Sequence, residues 1–197
     1  EVMNLREQGK VVVASFGDVA ASGGYYIAAG ADKIVANPGT LTGSIGVIFE
    51  LIQAQELLKK IGVKLESIKS GKHKDIGSAA REITQEERQI LQSIINDAYE
   101  QFVDAIVKGR NMEREKVLAF ADGKIFTGAQ AKVLGIIDEI GTRADAIALA
   151  GKLAGIEGTP RILVEKDPFE DLLSFFENYG TPPFENILGQ KVRFEYM

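Results

Sequence analysis

What most constrains the fold of this chain is an alternation repeated along it, in which short apolar runs rich in β-branched residues break at glycine and give way to helix-forming segments. The first run, Lys10-Val-Val-Val-Ala-Ser-Phe16, has the composition of a strand buried on both faces of a parallel sheet. It stops at Gly17-Asp18. The small residues of Val19-Ala-Ala-Ser-Gly-Gly-Tyr-Tyr-Ile-Ala-Ala-Gly30 then predict a tight turn into a closely packed helix. Asp32 to Ala36 reads as a short strand closed by the turn Asn37-Pro-Gly39. Leu41 to Phe49 is strand-like but holds Gly43, Ser44 and Gly46, and glycines inside a strand predict that another backbone or a ligand comes close.

The alternation continues with a helix over Leu51 to Ile61 and a strand over Val63 to Ile68, then a polar, basic loop from Lys69 to Ser78. Thr84-Gln-Glu-Glu87 is a capping box that opens a long helix. Its rows Ile90, Ile94, Ala98, Phe102, Ile106 and Leu91, Ile95, Val103, Val107 form one broad apolar stripe. A helix from about Glu113 to Ala121, a short segment Lys124 to Phe126, a helix opened by Thr127-Gly-Ala-Gln130, a strand at Ile136-Ile137 and a helix over Ala144 to Ala154 complete an α/β pattern. Glu1 to Gly9 reads as the last turns of an amphipathic helix, as if the chain were entered partway through a domain. The character changes near Gly158, so the sequence divides into a body, 1–157, and an extension, 158–197. In the extension, Arg161 to Val164 reads as an edge strand. Phe169, Leu172, Leu173, Phe175 and Phe176 share a helical stripe suited to packing on the body or a neighbouring subunit.

Composition removes much chemistry. Among 197 residues there is no cysteine and one histidine, His73, so no thiolate site and no two-histidine zinc site can form within one chain. No metal or other cofactor is implied. A net charge of -5 is the wrong sign for a nucleic-acid groove. The apolar runs, such as Val11 to Ala14 and Ile45 to Phe49, fall far short of the roughly 20 residues that span a bilayer.

Ser22, in Ala20-Ala-Ser-Gly-Gly-Tyr25, lies where a small-residue loop enters a helix. Helix N-terminal amides stabilise an alkoxide or oxyanion, and Gly23 and Gly24 let the backbone approach a carbonyl. The segment is not the elbow Gly-x-Ser-x-Gly, because position 20 is alanine. A helix N-cap explains Ser22 as well as a nucleophile does. A serine nucleophile needs a base. His73 stands between Lys72 and Lys74, and those charges disfavour the imidazolium of a Ser-His-Asp triad. Lys72 and Lys74 are the alternative bases, acting as neutral amines, and a solvated lysine pair is the plain alternative to both. Ser44, between Gly43 and Ile45, can accept a hydrogen bond from such an amine.

These residues carry a resemblance. The runs Asp18-Val-Ala-Ala-Ser-Gly-Gly-Tyr-Tyr-Ile-Ala28 and Asp32-Lys-Ile-Val-Ala-Asn-Pro-Gly-Thr-Leu-Thr-Gly-Ser-Ile-Gly-Val47 closely resemble the bacterial signal peptide peptidase A family. The likeness continues through Ser70-Gly-Lys-His-Lys-Asp75, Gly109-Arg110, Ala121-Asp-Gly-Lys-Ile-Phe-Thr-Gly-Ala-Gln-Ala131 and Gly135-Ile-Ile-Asp138, from about residue 10 to 145. It implies a ClpP/crotonase-like superhelix of repeated β-β-α units, here lacking its N-terminal elements, and a Ser-Lys serine protease. By resemblance Ser22 is the nucleophile, Lys74 the general base and Ser44 the partner of the lysine amine, with the Gly23 amide as one oxyanion donor. An extended apolar peptide, a remnant signal peptide, would lie beside Gly43, Ile45, Gly46 and Val47. The resemblance also implies a homo-oligomeric ring. It places the protease domain on the extracytoplasmic side of a bacterial membrane, the membrane anchor lying in an N-terminal region outside this chain and the fragment itself being soluble. The family's second oxyanion donor lies in an upstream glycine-rich turn that this chain lacks, a loss worth about 3 kcal/mol of transition-state stabilisation if nothing replaces it. Two other classes remain open at this point: an enzyme of the same fold with different catalytic groups, such as a Ser-His-Asp protease or an acyl-CoA enzyme, and a non-catalytic membrane-associated scaffold.

Overall fold

The computed structural model describes residues 1–164, and the chain divides after Pro160. Glu1–Pro160 is a mixed α/β body. Helix α1 (Val2–Glu7) leads into β1 (Val13–Phe16), β2 (Val19–Ala21), α2 (Gly23–Ala28), β3 (Lys33–Ala36) and β4 (Leu41–Gly43). There follow α3 (Gln55–Lys60), α4 (Gln85–Arg110), α5 (Arg114–Leu118), β5 (Ile125–Thr127), α6 (Gly128–Leu134), β6 (Glu139–Ile140) and α7 (Arg143–Leu153).

Two small sheets carry the site. In one, β1 and β6 flank β3 in parallel; in the other, β4 lies between β2, parallel to it, and β5, antiparallel. The core between them and the helices gathers Phe16, Tyr25, Ile34 and Ile45 with Phe102, Val103 and Ile106 of α4, Val117 and Phe120 beside α5, and Ile136 and Ile137. Three helices open with complete capping boxes, Thr84 with Glu87, Thr127 with Gln130 and Thr142 with Asp145. In each, the threonine hydroxyl satisfies an amide that the first turn leaves without a partner.

The structure corrects the sequence reading where a strand was inferred from apolar content alone. Strand β1 is half-buried with Ser15 exposed, because among the described residues it is an edge with β3 as its ladder partner. Val63 to Ile68 forms no strand: the segment pairs with nothing described and is exposed throughout, Ile68 completely. Only Leu41 to Gly43 of the longer predicted run is strand, and α3 is shorter than its apolar pattern implied. Ile136 and Ile137 are buried in bends, and the strand β6 begins two residues later. Arg161 to Val164 forms no strand, and the stripe from Phe169 to Phe176 lies outside the described residues.

Tyr25 joins the halves of the core. Its ring meets Phe16 edge to face, with centroids 6.5 Å apart. Its hydroxyl donates to the Ile136 carbonyl at 2.9 Å. Burial pushes the phenol well above its ordinary value, with Asp138 adding to the rise and Arg110 opposing it. A phenol that stays neutral when folded but ionises when unfolded gives stability that is complete below about pH 10 and is lost as pH rises further, by up to about 1.4 kcal/mol per pH unit. Urea unfolding between pH 9 and 12 is expected to show a steeper alkaline loss in the parent protein than in Tyr25→Phe; equal slopes would rule out this role for Tyr25.

Candidate active site

Strands β2 and β4 run parallel with Ala21 opposite Gly43, so Ser22 and Ser44 occupy the next step of the same register. Both have positive φ, 51° and 50°. For residues other than glycine this conformation costs about 1–3 kcal/mol, and it clusters where geometry serves function. The Ser22 amide donates to the Gly43 carbonyl at 2.8 Å, tying the two turns together.

Ser22 has φ 51° and ψ -117° and connects β2 directly to α2, so the chain makes a sharp strand-to-helix turn without the glycine pattern of the elbow motif. Ala20 is tolerated because it stands at ordinary contact distance from Gly24, 3.9 Å from where a β-carbon would be. Ser22 sits at the N-cap position, yet its side chain caps nothing. The threonines of the three capping boxes do cap, whereas the Ser22 hydroxyl is exposed and makes no cap hydrogen bond to its helix. The Gly23 amide likewise receives no acceptor from it.

Ser22 opens onto a cavity of about 420 Å³ lined by Gly23, Tyr26, Gly46, Val47, Ile48, Ala98, Gln101 and Phe102. Its wall is mostly apolar. Tyr26 and Phe102 meet edge to face at 5.2 Å, linking α2 to α4 across it. Among the residues expected to touch substrate, Gly46 and Val47 line this cavity, while Gly43 and Ile45 do not. Ile45 is fully buried in the core. A β-carbon on Gly43 would come within 2.6 Å of the Phe126 ring and 2.9 Å of the Lys124 carbonyl. The close approach foreseen at these glycines is thus that of backbone: Ser44 donates to Lys124 at 2.7 Å and Gly123 donates to Ile45 at 3.0 Å. Tyr26, Ala98 and Phe102 were not read as site residues. Ala98 and Phe102 belong to the α4 stripe, which sequence periodicity assigns to core without showing where a stripe borders a cleft.

Lys74 is exposed, in the partly buried loop from Ser70 to Ser78; it does not line the cavity, and no hydrogen bond joins it to Ser22 or Ser44. Its neighbours are all held. Lys72 pairs with Glu86, and His73 Nε2 lies 3.3 Å from the same carboxylate. Asp75 pairs with Lys69 and, through two oxygens at 2.9 and 3.0 Å, with Arg81. Arg81 reaches on to Glu87, the buried carboxylate that closes the α4 capping box. Hydrogen bonds from Arg81 and then from the Thr84 amide hold Glu87 well below the usual carboxylate range, at about 2. Asp75 is lowered by hydrogen bonds from Arg81 and Lys69, and Glu86 by its bond from Lys72. These anchors are therefore complete above the ordinary carboxylate range and loosen only as pH falls below it.

A strained, uncapped serine on a strand-to-helix turn, facing an apolar cleft, is an arrangement suited to acyl transfer. The comparison with known families agrees in kind. Residues 4–157 match peptidase family S49, and the chain belongs to that family. It is 52% identical over 160 residues to a putative protease of Synechocystis sp., an alignment covering 81% of this chain and 57% of that one. It is 39% identical over 174 residues to a putative protease of Methanocaldococcus jannaschii, covering 87% of this chain and 56% of the other. It is 42% identical over 147 residues to a putative signal peptide peptidase SppA of Enterococcus faecium, covering 75% of this chain and 43% of the other. The chain thus spans little more than half the length of the first two relatives. Among the described residues no helix is long and apolar enough to cross a membrane.

Proposed function

We propose that the protein is a serine endopeptidase with a ClpP/crotonase-like fold that cleaves apolar peptides, remnant signal peptides among them, with Ser22 as nucleophile and Lys74 as base. The observation that carries this reading is the Ser22 turn: a hydroxyl held in a strained conformation, left uncapped and open to an apolar cavity. The neutral Lys74 amine takes the Ser22 proton as Oγ attacks the scissile carbonyl. It then gives that proton to the leaving amine, and finally activates the water that releases the acyl group. Ser44 orients the lysine amine, and the Gly23 amide receives the developing oxyanion. The peptide lies extended along Gly46 to Ile48 with an apolar side chain against Tyr26 and Phe102.

The assembly is a homo-oligomeric ring at a bacterial membrane. Within one chain Lys74 stands apart from the Ser22 cavity, and mixing inactive Ser22→Ala and Lys74→Ala chains distinguishes the two ways of forming the pair. Recovered activity places serine and lysine on neighbouring copies; none places them on one. The triad alternative is tested by His73→Ala, which is expected to retain activity within about tenfold, whereas a triad histidine would cost about a thousandfold or more. A fluorophosphonate that fails to label Ser22 in the full-length protein would overturn the nucleophile assignment.

A further inference from the structure

We propose that Arg81 is a positioning residue for Lys74: it ties Asp75 to the start of α4 and so keeps the carboxylate next in sequence from pairing with the lysine amine. This rests on the reading of Lys74 as the base.

The argument begins with the loop itself. Ser70 to Ser78 has little apolar content and no ladder, so burial cannot fix it. What holds it is a pair of consecutive acids in the first turn of α4. Glu86 takes Lys72 and His73 on one side of Lys74. Glu87, through Arg81, takes Asp75 on the other. The second connection is the stronger. Arg81 offers a planar fork, placing Nε and Nη2 on the two oxygens of Asp75 and Nη1 on Glu87 at 2.8 Å. Glu87 is only 2% exposed and is fixed further by the Thr84 amide and hydroxyl. Beyond it α4 runs through the core contacts of Phe102, Val103 and Ile106. The anchor of the loop is thereby continuous with the longest described helix of the body.

The chemical consequence concerns Asp75. An acid beside a lysine ordinarily pairs with it, and a paired ammonium is a poor proton acceptor. Here both Asp75 oxygens are occupied, by Arg81 and by Lys69. The charged groups beside Lys74 in the chain are Lys69, Lys72, His73 and Asp75, and those tied to them are Arg81 and, from α4, Glu86 and Glu87. Each of those acids already has a cationic partner, and among the described residues Lys74 makes no ion pair. Without Arg81, Asp75 keeps Lys69 on Oδ1 while Oδ2 loses its partner, and as the nearest acid in sequence it can turn that oxygen to Lys74.

The test uses the full-length protein and two readouts. One is acylation of Lys74 by an amine-selective reagent across pH, quantified by peptide mass spectrometry; the other is kcat/KM on an apolar fluorogenic peptide over the same range. In Arg81→Ala the pH of half-maximal Lys74 labelling is expected to rise by about one unit, and the acid-side limb of kcat/KM to rise with it, costing about tenfold at neutral pH. Arg81→Ala/Asp75→Asn is expected to return both curves to the parent position. A purely structural arginine predicts a rate lowered equally at every pH with unshifted labelling, and that result overturns the proposal; so does a shift that persists in the double variant. If Arg81→Ala does not fold, Arg81→Lys, which keeps the charge but not the fork, is read in the same way with a smaller shift. Undiminished hydrolysis by Lys74→Ala removes the base assignment instead, while the labelling curves still decide whether Arg81 governs the amine.

Discussion

Ser22→Ala in the full-length protein is expected to lower peptide hydrolysis by at least about 10,000-fold without lowering the unfolding midpoint. Removing a nucleophile leaves only binding and the oxyanion site, which accounts for the size of the loss. The stability half of the expectation comes from the turn. An N-cap serine changed to alanine costs about 1 kcal/mol, but the Ser22 hydroxyl caps no amide, so its removal forfeits no such bond. The strained φ of 51° is shared by alanine and relieved by glycine. Ser22→Gly is therefore expected to be as inactive as Ser22→Ala and more stable by about 1 kcal/mol, measured by urea unfolding. If Ser22→Ala retained peptide hydrolysis, or lost stability as a cap variant would, the nucleophile reading would fail.

What the sequence made legible were features decided locally. Thr84 and Thr127 each stand three residues before an acid or amide, and each forms a complete capping box, because a cap depends on four consecutive residues and little else. Pairing depends on distant partners. Val63 to Ile68 has the β-branched content of a strand but meets no ladder, whereas Val19–Ala21 forms one despite two alanines because Leu41–Gly43 lies beside it. Ser22 and Ser44 could be singled out by their glycine neighbours, but their placement one step beyond the same ladder pair is a property of register. Lys74 is the converse case. Resemblance names it, yet the loop that carries it is held by side-chain ion pairs spanning 6 to 14 residues, and no periodicity encodes those.

The motifs Gly109-Arg110 and Gly135 to Asp138, whose role the sequence left open, account for the largest expected effect on stability. A β-carbon on Gly109 would fall 2.1 Å from the Ala29 carbonyl, so glycine is what lets α4 end against the turn after α2. Arg110 then lies with only 6% of its side chain exposed, donating to the Ala31 carbonyl at 3.2 Å and pairing with Asp138. Asp138 also accepts from the Ile34 amide at 2.8 Å and lies 3.3 Å from Lys33. Asp138→Ala strands a buried guanidinium whose Nε already lacks a partner among the described residues, and leaves the β3 amide without its acceptor. Breaking a buried pair from one side costs about 3–5 kcal/mol, a fall in Tm of roughly 10 °C for a body of this size. Arg110→Met is expected to cost less: the aliphatic chain fills much of the same space, and Asp138 keeps both Lys33 and the Ile34 amide. Thermal unfolding of the two variants decides the matter, and an Arg110→Met loss equal to or greater than that of Asp138→Ala would show that packing of the arginine stem, rather than its unpaired charge, sets the stability of this joint.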